Sequence, residues 1–154
     1  MQGIDTRSQA NVAWMEHQIL DHVKQALRVT LGWQVPSVGL PRKLSSVQFT
    51  LKSFQRHLER LMDIEEQDGY MVFVAETKPH LSVRVERLEL DHDQFRREIR
   101  HLLPEVEALS GYESEEFENI CDEITMLLEH VDRHDTEEIE LLQETLLFDE
   151  GGEG

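Results

Sequence analysis

The placement of glycine and proline is the feature that most constrains the fold of this chain. The 8 glycines and 4 prolines fall mainly into clusters at residues 32–41, 68–79 and 104–111 and at the C-terminus. Because both residue types favour turns and destabilise helix interiors, these clusters predict where structural elements end. The four long segments between them have a composition typical of helices and lack the alternating pattern of a strand.

The four segments predict four helices. They run from about Ser8 to Leu31, from Ser45 or Ser46 to about Asp68, from after Pro79 to about Leu103, and from after Ser114 to about Leu147. Ser45 and Ser46 are suitable N-caps for the second helix, and Gly69 is a suitable C-cap. Glu115 and Glu116 suit the N-terminus of the fourth helix, where the helix dipole favours negative charge.

The β-branched run from Tyr70 to Glu76 resembles a strand, but a lone strand would have no partner. We interpret it as a helical extension or connector packed on the helices. Four long helices with connections of about ten residues predict an all-α fold, an antiparallel up-down four-helix bundle. We expect one domain over residues 1–150, followed by a flexible acidic and glycine-rich tail at 151–154.

The net charge and the composition of the chain limit which partners and which cellular location it is expected to have. The chain has 15 basic and 32 acidic residues and a formal net charge of −17, which argues against nucleic acid or an anionic membrane surface as a partner. No apolar run approaches the roughly 18 residues of a membrane helix, and the N-terminal residues contain no signal-peptide pattern. We therefore expect a cytoplasmic protein.

The residues with reactive side chains give no sign of catalysis. The single cysteine, Cys121, excludes an internal disulfide and multi-cysteine zinc motifs. It lies beside Ile120 without a flanking activating group, so we interpret it as a small buried residue. Phosphate-binding glycine loops and serine-nucleophile elbows are not found, and we expect no enzymatic activity.

Ionisable residues interrupt the apolar stripes of three helices. With the phase of each stripe set by apolar residues at steps of three and four, Glu65 falls on the second stripe, His92 on the third, and His134 and Glu138 on the fourth. Buried ionisable groups are costly unless they are paired or bind a metal. Imidazole and carboxylate together suit iron, manganese or zinc, so the stripes predict a metal site. The apolar members are Leu51, Phe54, Leu58 and Leu61; Leu81, Val85, Leu88, Phe95, Ile99 and Leu102; and Phe117, Ile120, Ile124, Leu127, Val131 and Leu141.

Two choices of ligand remain open. The first helix has two candidate apolar stripes. One consists of Ala13, His17, Leu20, Val23 (or Lys24), Leu27 and Leu31. The other consists of Met15, Ile19, His22, Ala26 and Val29. We favour His17 over His22 because Glu16 precedes it, as Asp91 precedes His92. On the fourth helix, His130 and Asp135 are a rival pair to His134 and Glu138, and His134 with Glu138 also fits a simple surface pairing.

Four local patterns, in this order, carry a family resemblance: Glu16–His17, the run from Asp63 to Tyr70, the run from Leu88 to Phe95, and the run from His134 to Glu144. With them, residues 12 to 150 or so resemble the hemerythrin-like, HHE-type cation-binding domains. The resemblance implies an antiparallel four-helix bundle around a non-haem di-iron centre that binds dioxygen, senses oxygen or redox state, or handles iron. It implies as ligands His17, Glu65, His92, His134 and Glu138.

The chain departs from the family pattern at Leu61 and Leu88, which stand where family members place histidines. Both continue an apolar stripe, so we interpret them as core residues. The remaining three histidines and two glutamates suit one iron ion, or two with water and bridging carboxylates, and are poor for reversible oxygen carriage. The alternative is a bundle that holds no metal and acts as a structural or protein-interaction module. A homodimer through the apolar connector from Tyr70 to Val74 is a further hypothesis.

Overall fold

The computed structural model describes residues 6–67 and 70–151 of the chain. Over these ranges the protein contains α-helices and short 3₁₀ turns and no β-strand, so the predicted all-α class is confirmed. The α-helices are α1 (Thr6–Leu31), α2 (Leu40–Gln67), α3 (Tyr70–Thr77), α4 (Ser82–Ala108) and α5 (Ser114–Gly151). The 3₁₀ turns Ser37–Gly39 and Pro79–Leu81 lead into α2 and α4.

The helices pack together as a bundle-like body. α1 lies against α2 and α5, α4 lies against α5 and α2, and α3 contacts α1, α2 and α4. No helix in the described ranges has the length and apolar character needed to cross a bilayer.

Two apolar clusters fill the interior. The larger one joins the four long helices and includes Leu20, Phe54 and Phe95, none of which is exposed to solvent. The smaller one joins α3 to one end of α4 and α5, through residues such as Met71 and Leu141. Along α4 and α5 the ionisable residues of the predicted stripes lie between the two clusters. The interior is therefore apolar on both sides of a polar layer.

The predicted stripes are confirmed by burial. Every apolar residue assigned to the second, third and fourth stripes is buried. On α1 the stripe that contains His17 faces the interior, with Lys24 rather than Val23 as its buried member, and the stripe that contains His22 is exposed. The burial of Lys24 follows from its ion pairs with α5, described below.

Two predicted helix boundaries were wrong, because in each case a proline had been interpreted as a break. α2 begins at Leu40, so Ser45 and Ser46 lie inside it and cap nothing. Pro41 lies in the first turn of α2, where the missing backbone N–H has no intrahelical partner to lose. The C-cap predicted at Gly69 lies outside the described residues.

The third predicted helix was expected to end near Leu103, but α4 continues to Ala108 with Pro104 inside it. An interior proline costs about 3 kcal/mol in an isolated helix. Here tertiary contacts offset that cost: Val106 is fully buried, and its carbonyl oxygen accepts a hydrogen bond from Gln48 Nε2 of α2 at 3.0 Å. Packing beyond the proline therefore keeps the last turns helical.

The connector and the C-terminal segment are both helical. The run from Tyr70 to Glu76 lies in α3, as the interpretation of a helical connector requires, and Met71 and Val74 face the interior. α5 extends past the predicted end at Leu147 to Gly151. Residues 152–154 of the predicted tail lie outside the described residues.

Cys121 offers a test of the packing around α5. Burial raises the pKa of its thiol to about 11, so the reactive thiolate is scarce at neutral pH. We expect the native protein to resist iodoacetamide at pH 8 and to be modified once guanidinium unfolds it, as measured by mass spectrometry. Rapid modification of the native protein would contradict this packing.

Candidate metal centre

Five ionisable side chains from four helices form the polar layer. α1 supplies His17, α2 supplies Glu65, α4 supplies His92, and α5 supplies His134 and Glu138. None of the five is more than 5% exposed. On α5 the two residues are four positions apart and therefore share a face. All five ligand positions implied by the family resemblance thus lie at one interior place.

Each glutamate lies between two imidazoles. Glu138 Oε1 is 2.6 Å from His17 Nε2, and its Oε2 is 3.3 Å from His134 Nε2. Glu65 Oε2 is 3.5 Å from His17 Nε2, and its Oε1 is 3.5 Å from His92 Nε2. Four of the five residues, all except His17, each offer a ligand atom within 4.8 Å of the others. The group could therefore hold a metal ion.

The outer nitrogen of each imidazole faces a second carboxylate. The pairs are His92 Nδ1 with Glu66 Oε2 at 2.6 Å, His134 Nδ1 with Asp91 Oδ2 at 2.9 Å, and His17 Nδ1 with Asp135 Oδ1 at 3.7 Å. The first two distances are hydrogen bonds, and the third is a longer ionic contact. A carboxylate on Nδ1 orients an imidazole and favours the tautomer whose Nε2 carries the free lone pair. All three Nε2 atoms point inward.

Burial and charge act in opposite directions on the imidazoles. Burial lowers the pKa of His17 and of His92, but contact with the negatively charged carboxylate of Glu65 outweighs it and raises both pKa values above the usual range. For His134, burial and the nearby His92 outweigh the hydrogen bond to Asp91, and its pKa is lowered.

The same balance sets the state of Glu65. Its burial raises the carboxyl pKa, but the contacts of its oxygens with the imidazoles of His17 and His92, each at 3.5 Å, outweigh burial and hold the pKa below its usual value. Glu65 is therefore ionised at neutral pH. Its negative charge faces the two imidazoles whose pKa values it raises, and a metal ion bound among these groups would displace the imidazole protons.

Three buried atoms of the layer have no hydrogen-bond partner: His92 Nε2, Glu65 Oε2 and Glu138 Oε2. A buried polar atom left unsatisfied costs about 1–3 kcal/mol, so such atoms are rare in protein interiors. The two carboxylate oxygens carry lone pairs, as does Nε2 of the neutral form of His92, and all three atoms face the same interior place. A bound metal ion would satisfy them together, so the residues present fit a metal.

The structure separates the alternatives that the sequence left open. His22 is exposed, whereas His17 reaches the polar layer. His130 is half-buried and lies edge-on to the ring of Phe95, with centroids 4.9 Å apart. Asp135 is buried but faces His17 and Lys24, so His130 and Asp135 do not form a joint site. Leu61 and Leu88 are buried in the apolar clusters, and their interpretation as core residues is confirmed.

Sequence reasoning missed the acids that hold the imidazoles from outside. In both Glu16–His17 and Asp91–His92 an acid precedes a histidine, and the two pairs are interpreted from the sequence as one motif. In the structure Asp91 contacts His134 of α5 and not the adjacent His92. Glu16 is buried and pairs with Arg60 of α2 at 3.0 Å. Glu66 could have been found from its position beside a predicted ligand on the same helix. No pattern in the sequence indicates that Asp91 of α4 would contact His134 of α5.

A partly buried ion-pair network beside His17, with the Lys24–Asp135 pair at its centre, joins α1 to α5. Lys24 Nζ lies 2.7 Å from Asp135 Oδ2, 2.9 Å from Asp132 Oδ1 and 3.1 Å from Asp21 Oδ1. Burial alone lowers the pKa of Lys24, but Asp135 and Asp132 outweigh it and raise the pKa well above the usual value. Asp132 also pairs with Arg28. The network fixes Asp135 where it faces His17.

The comparisons with known proteins do not identify a family. No family model matches the chain, and no curated protein or solved structure is significantly similar to it. Any function must therefore be argued from the residues of the polar layer and their geometry.

Lys24 provides a test of the network. Lys24→Met leaves Asp135 buried without its cation, and breaking a buried pair in this way costs about 3 kcal/mol or more. We expect a loss of that size in the free energy of unfolding measured with urea. Lys52→Met is the matched control, because Lys52 pairs with Glu107 at the surface and such pairs contribute about 0–1 kcal/mol. Equal effects of the two substitutions would show that the network does not stabilise the fold.

Proposed function

We propose that this chain is a hemerythrin-like metal-binding protein that holds non-haem iron, as one or two ions, in its polar layer. The proposed role is to sense oxygen or redox state or to handle iron. One observation carries the proposal: imidazole and carboxylate groups from four helices converge in a buried layer that leaves three polar atoms without a hydrogen-bond partner. Such a layer costs free energy unless a cation occupies it.

The proposal includes the topology of the family, an antiparallel up-down bundle of α1, α2, α4 and α5. The packing of α1 on α2 and of α4 on α5 supports it, since helices joined by short connections are usually antiparallel neighbours. In this arrangement α3 is the connector between the two pairs. It closes one end of the polar layer with the apolar side chains of Met71 and Val74.

The donor set favours iron. Imidazole nitrogen and carboxylate oxygen together suit iron, manganese or zinc, and the family resemblance selects iron among them. The ligands would be the five side chains of the layer, His17, Glu65, His92, His134 and Glu138. Because Glu65 and Glu138 each lie between two imidazoles, both carboxylates would serve as ligands whether one or two ions are held. When bound, iron would supply one-electron redox chemistry and a position for dioxygen.

The residues around the ligands have distinct tasks in this proposal. Glu66 and Asp91 hold the rings of His92 and His134 through their Nδ1 atoms, so the Nε2 atoms stay aimed at the ion. The apolar clusters on either side exclude water, which strengthens every electrostatic interaction in the layer. Leu61 and Leu88 take two positions where family members have histidine, so fewer imidazoles surround the ion. This favours sensing or iron handling over oxygen carriage.

Metal content per chain is the first test. We expect wild-type protein from iron-supplemented cells to carry about one or two iron ions per chain and His92→Ala to lose nearly all of them, because the variant removes a central ligand. Elemental analysis with an ultraviolet-visible spectrum measures both. His101→Ala is the matched control, since His101 belongs to an exposed group with Glu105 and Glu123 and should not affect the metal content. Wild-type protein with negligible metal, or equal losses in both variants, would count against the proposal.

The histidines of α1 test whether His17 belongs to the site. Metal that binds only the native state raises its stability by mass action, by about 2.7 kcal/mol at a concentration 100 times the dissociation constant. We expect iron to raise the melting temperature of wild-type protein and of His22→Ala, which changes an exposed residue of the same helix. In His17→Ala the rise should be markedly smaller. A rise of equal size in all three would remove His17 from the ligand set.

The second candidate function is a structural or protein-interaction module that holds no metal. The hydrogen bond between His17 Nε2 and Glu138 Oε1 at 2.6 Å favours it, because it pairs two of the five groups without an ion. A chelator separates the two functions: removal of metal lowers the melting temperature of a metalloprotein and leaves that of the module unchanged.

A further inference from the structure

The face of α1 that points away from the interior is largely apolar, although it lies on the surface. Its six residues are all exposed and recur at steps of three and four, which is the spacing of a seam between two helices; they are Val12, Met15, Ile19, His22, Ala26 and Val29. We call these six residues the outer seam. Met15 is 62% exposed and Val29 is 61% exposed, so the described part of the chain leaves the seam uncovered.

The outer seam and its flank contain no acidic residue, lysine or arginine. Asn11, Gln18 and Gln25 run along one edge of the seam and are also exposed. Between Asn11 and Leu31, α1 has four such charged residues, and all of them form ion pairs within the chain: Glu16 with Arg60, Asp21 with Lys24, Lys24 with Asp135, and Arg28 with Asp132. The charged residues of this part of α1 therefore lie on its inner face and its sides and not on the outer seam.

This distribution is unusual for a solvated helix. A surface helix normally carries charged residues on its outer face, and α5 does so at Glu115, Glu116 and Glu118, which are all exposed. In a chain with a net charge of −17, a helix face without one acidic residue stands apart from the rest of the surface. Apolar residues in that pattern indicate a contact surface.

We propose that the outer seam is a homodimer interface, in which α1 packs antiparallel against α1 of a second copy across a twofold axis. With the axis between Ile19 and His22, the antiparallel register sets Ile19 opposite His22, Met15 opposite Ala26, and Val12 opposite Val29. The longest apolar side chain then faces the smallest one, so the seam is complementary to itself. A twofold interface requires this property, because the same surface forms both sides.

A second copy of the chain is the occupant that the self-complementary register favours, and the lack of acidic residues, lysine and arginine in the seam permits it. Two molecules that each carry a charge of −17 repel each other across their acidic surfaces, and like charges brought together at an interface are costly. The outer seam allows contact without that cost, and the side-chain amides at its edge can donate and accept hydrogen bonds at the rim.

This interface differs from the dimer predicted through the connector from Tyr70 to Val74. Within the connector Met71 and Val74 are buried, whereas Phe73 is 42% exposed. The outer seam lies on the opposite side of α1 from His17, and its proposed role does not depend on metal in the polar layer.

Sedimentation equilibrium of the full chain from about 1 to 100 μM tests the association. We expect wild-type protein to reach twice the 18.0 kDa mass of the chain. Ile19→Glu and Met15→Glu each place carboxylates in the seam, and each should raise the dissociation constant at least tenfold. Val83→Glu is the matched control, because Val83 is an exposed apolar residue of α4 outside the seam. Circular dichroism establishes that each variant stays folded.

Cross-linking tests the register. In the antiparallel dimer, a short thiol cross-linker should join Val12→Cys chains to Val29→Cys chains in a mixture, and neither variant should cross-link to itself. Cys121 is buried and adds no background. A wild-type monomer over the whole concentration range, or a dimer that both seam variants leave intact, would overturn the proposal. Self-cross-linking of each variant would overturn the antiparallel register.

Discussion

The structure depends on one constraint, the burial of five ionisable side chains in a layer between two apolar clusters. Removing such groups from water is expensive, and the chain offsets the cost by alternating acid and imidazole through the layer. Glu65 and Glu138 lie between the inner nitrogens, and further acids face the outer nitrogens of His92 and His134. Because the groups come from α1, α2, α4 and α5, the layer also fixes the relative positions of all four long helices.

The charge of the layer follows from the same arrangement. Five carboxylates surround three imidazoles, and they are only partly balanced by cations outside them, Lys24 on Asp135 and Arg96 on Glu66. Without a metal ion, protons on His17 and His92, whose pKa values are raised, offset part of the remaining negative charge. A multivalent cation is the species that balances it best, which is why the proposed function is metal binding.

The spacing of apolar residues predicted more of this structure than the positions of glycine and proline did. The stripes of α2, α4 and α5 placed their core residues correctly, because a helix with one buried face repeats its apolar residues regularly. The ends of α2 and α4 were wrong, since Pro41 and Pro104 are tolerated for reasons of position and tertiary packing. The sequence left open whether Lys24 or Val23 faces the interior, and it did not predict the contact of Asp91 with His134. The partners of both residues lie on α5, and contacts between distant helices leave no local sequence pattern.

The two faces of α1 differ in charge: the inner face takes part in the polar layer, and the six residues of the outer seam include no acidic residue, lysine or arginine. The central claim concerns the inner face. X-ray absorption at the iron edge of the loaded chain tests it most directly, because scattering from imidazole rings is distinctive. The account predicts three imidazoles among the nearest neighbours of iron in the wild type and two in His17→Ala. Oxygen neighbours alone, or a spectrum that His17→Ala leaves unchanged, would contradict it.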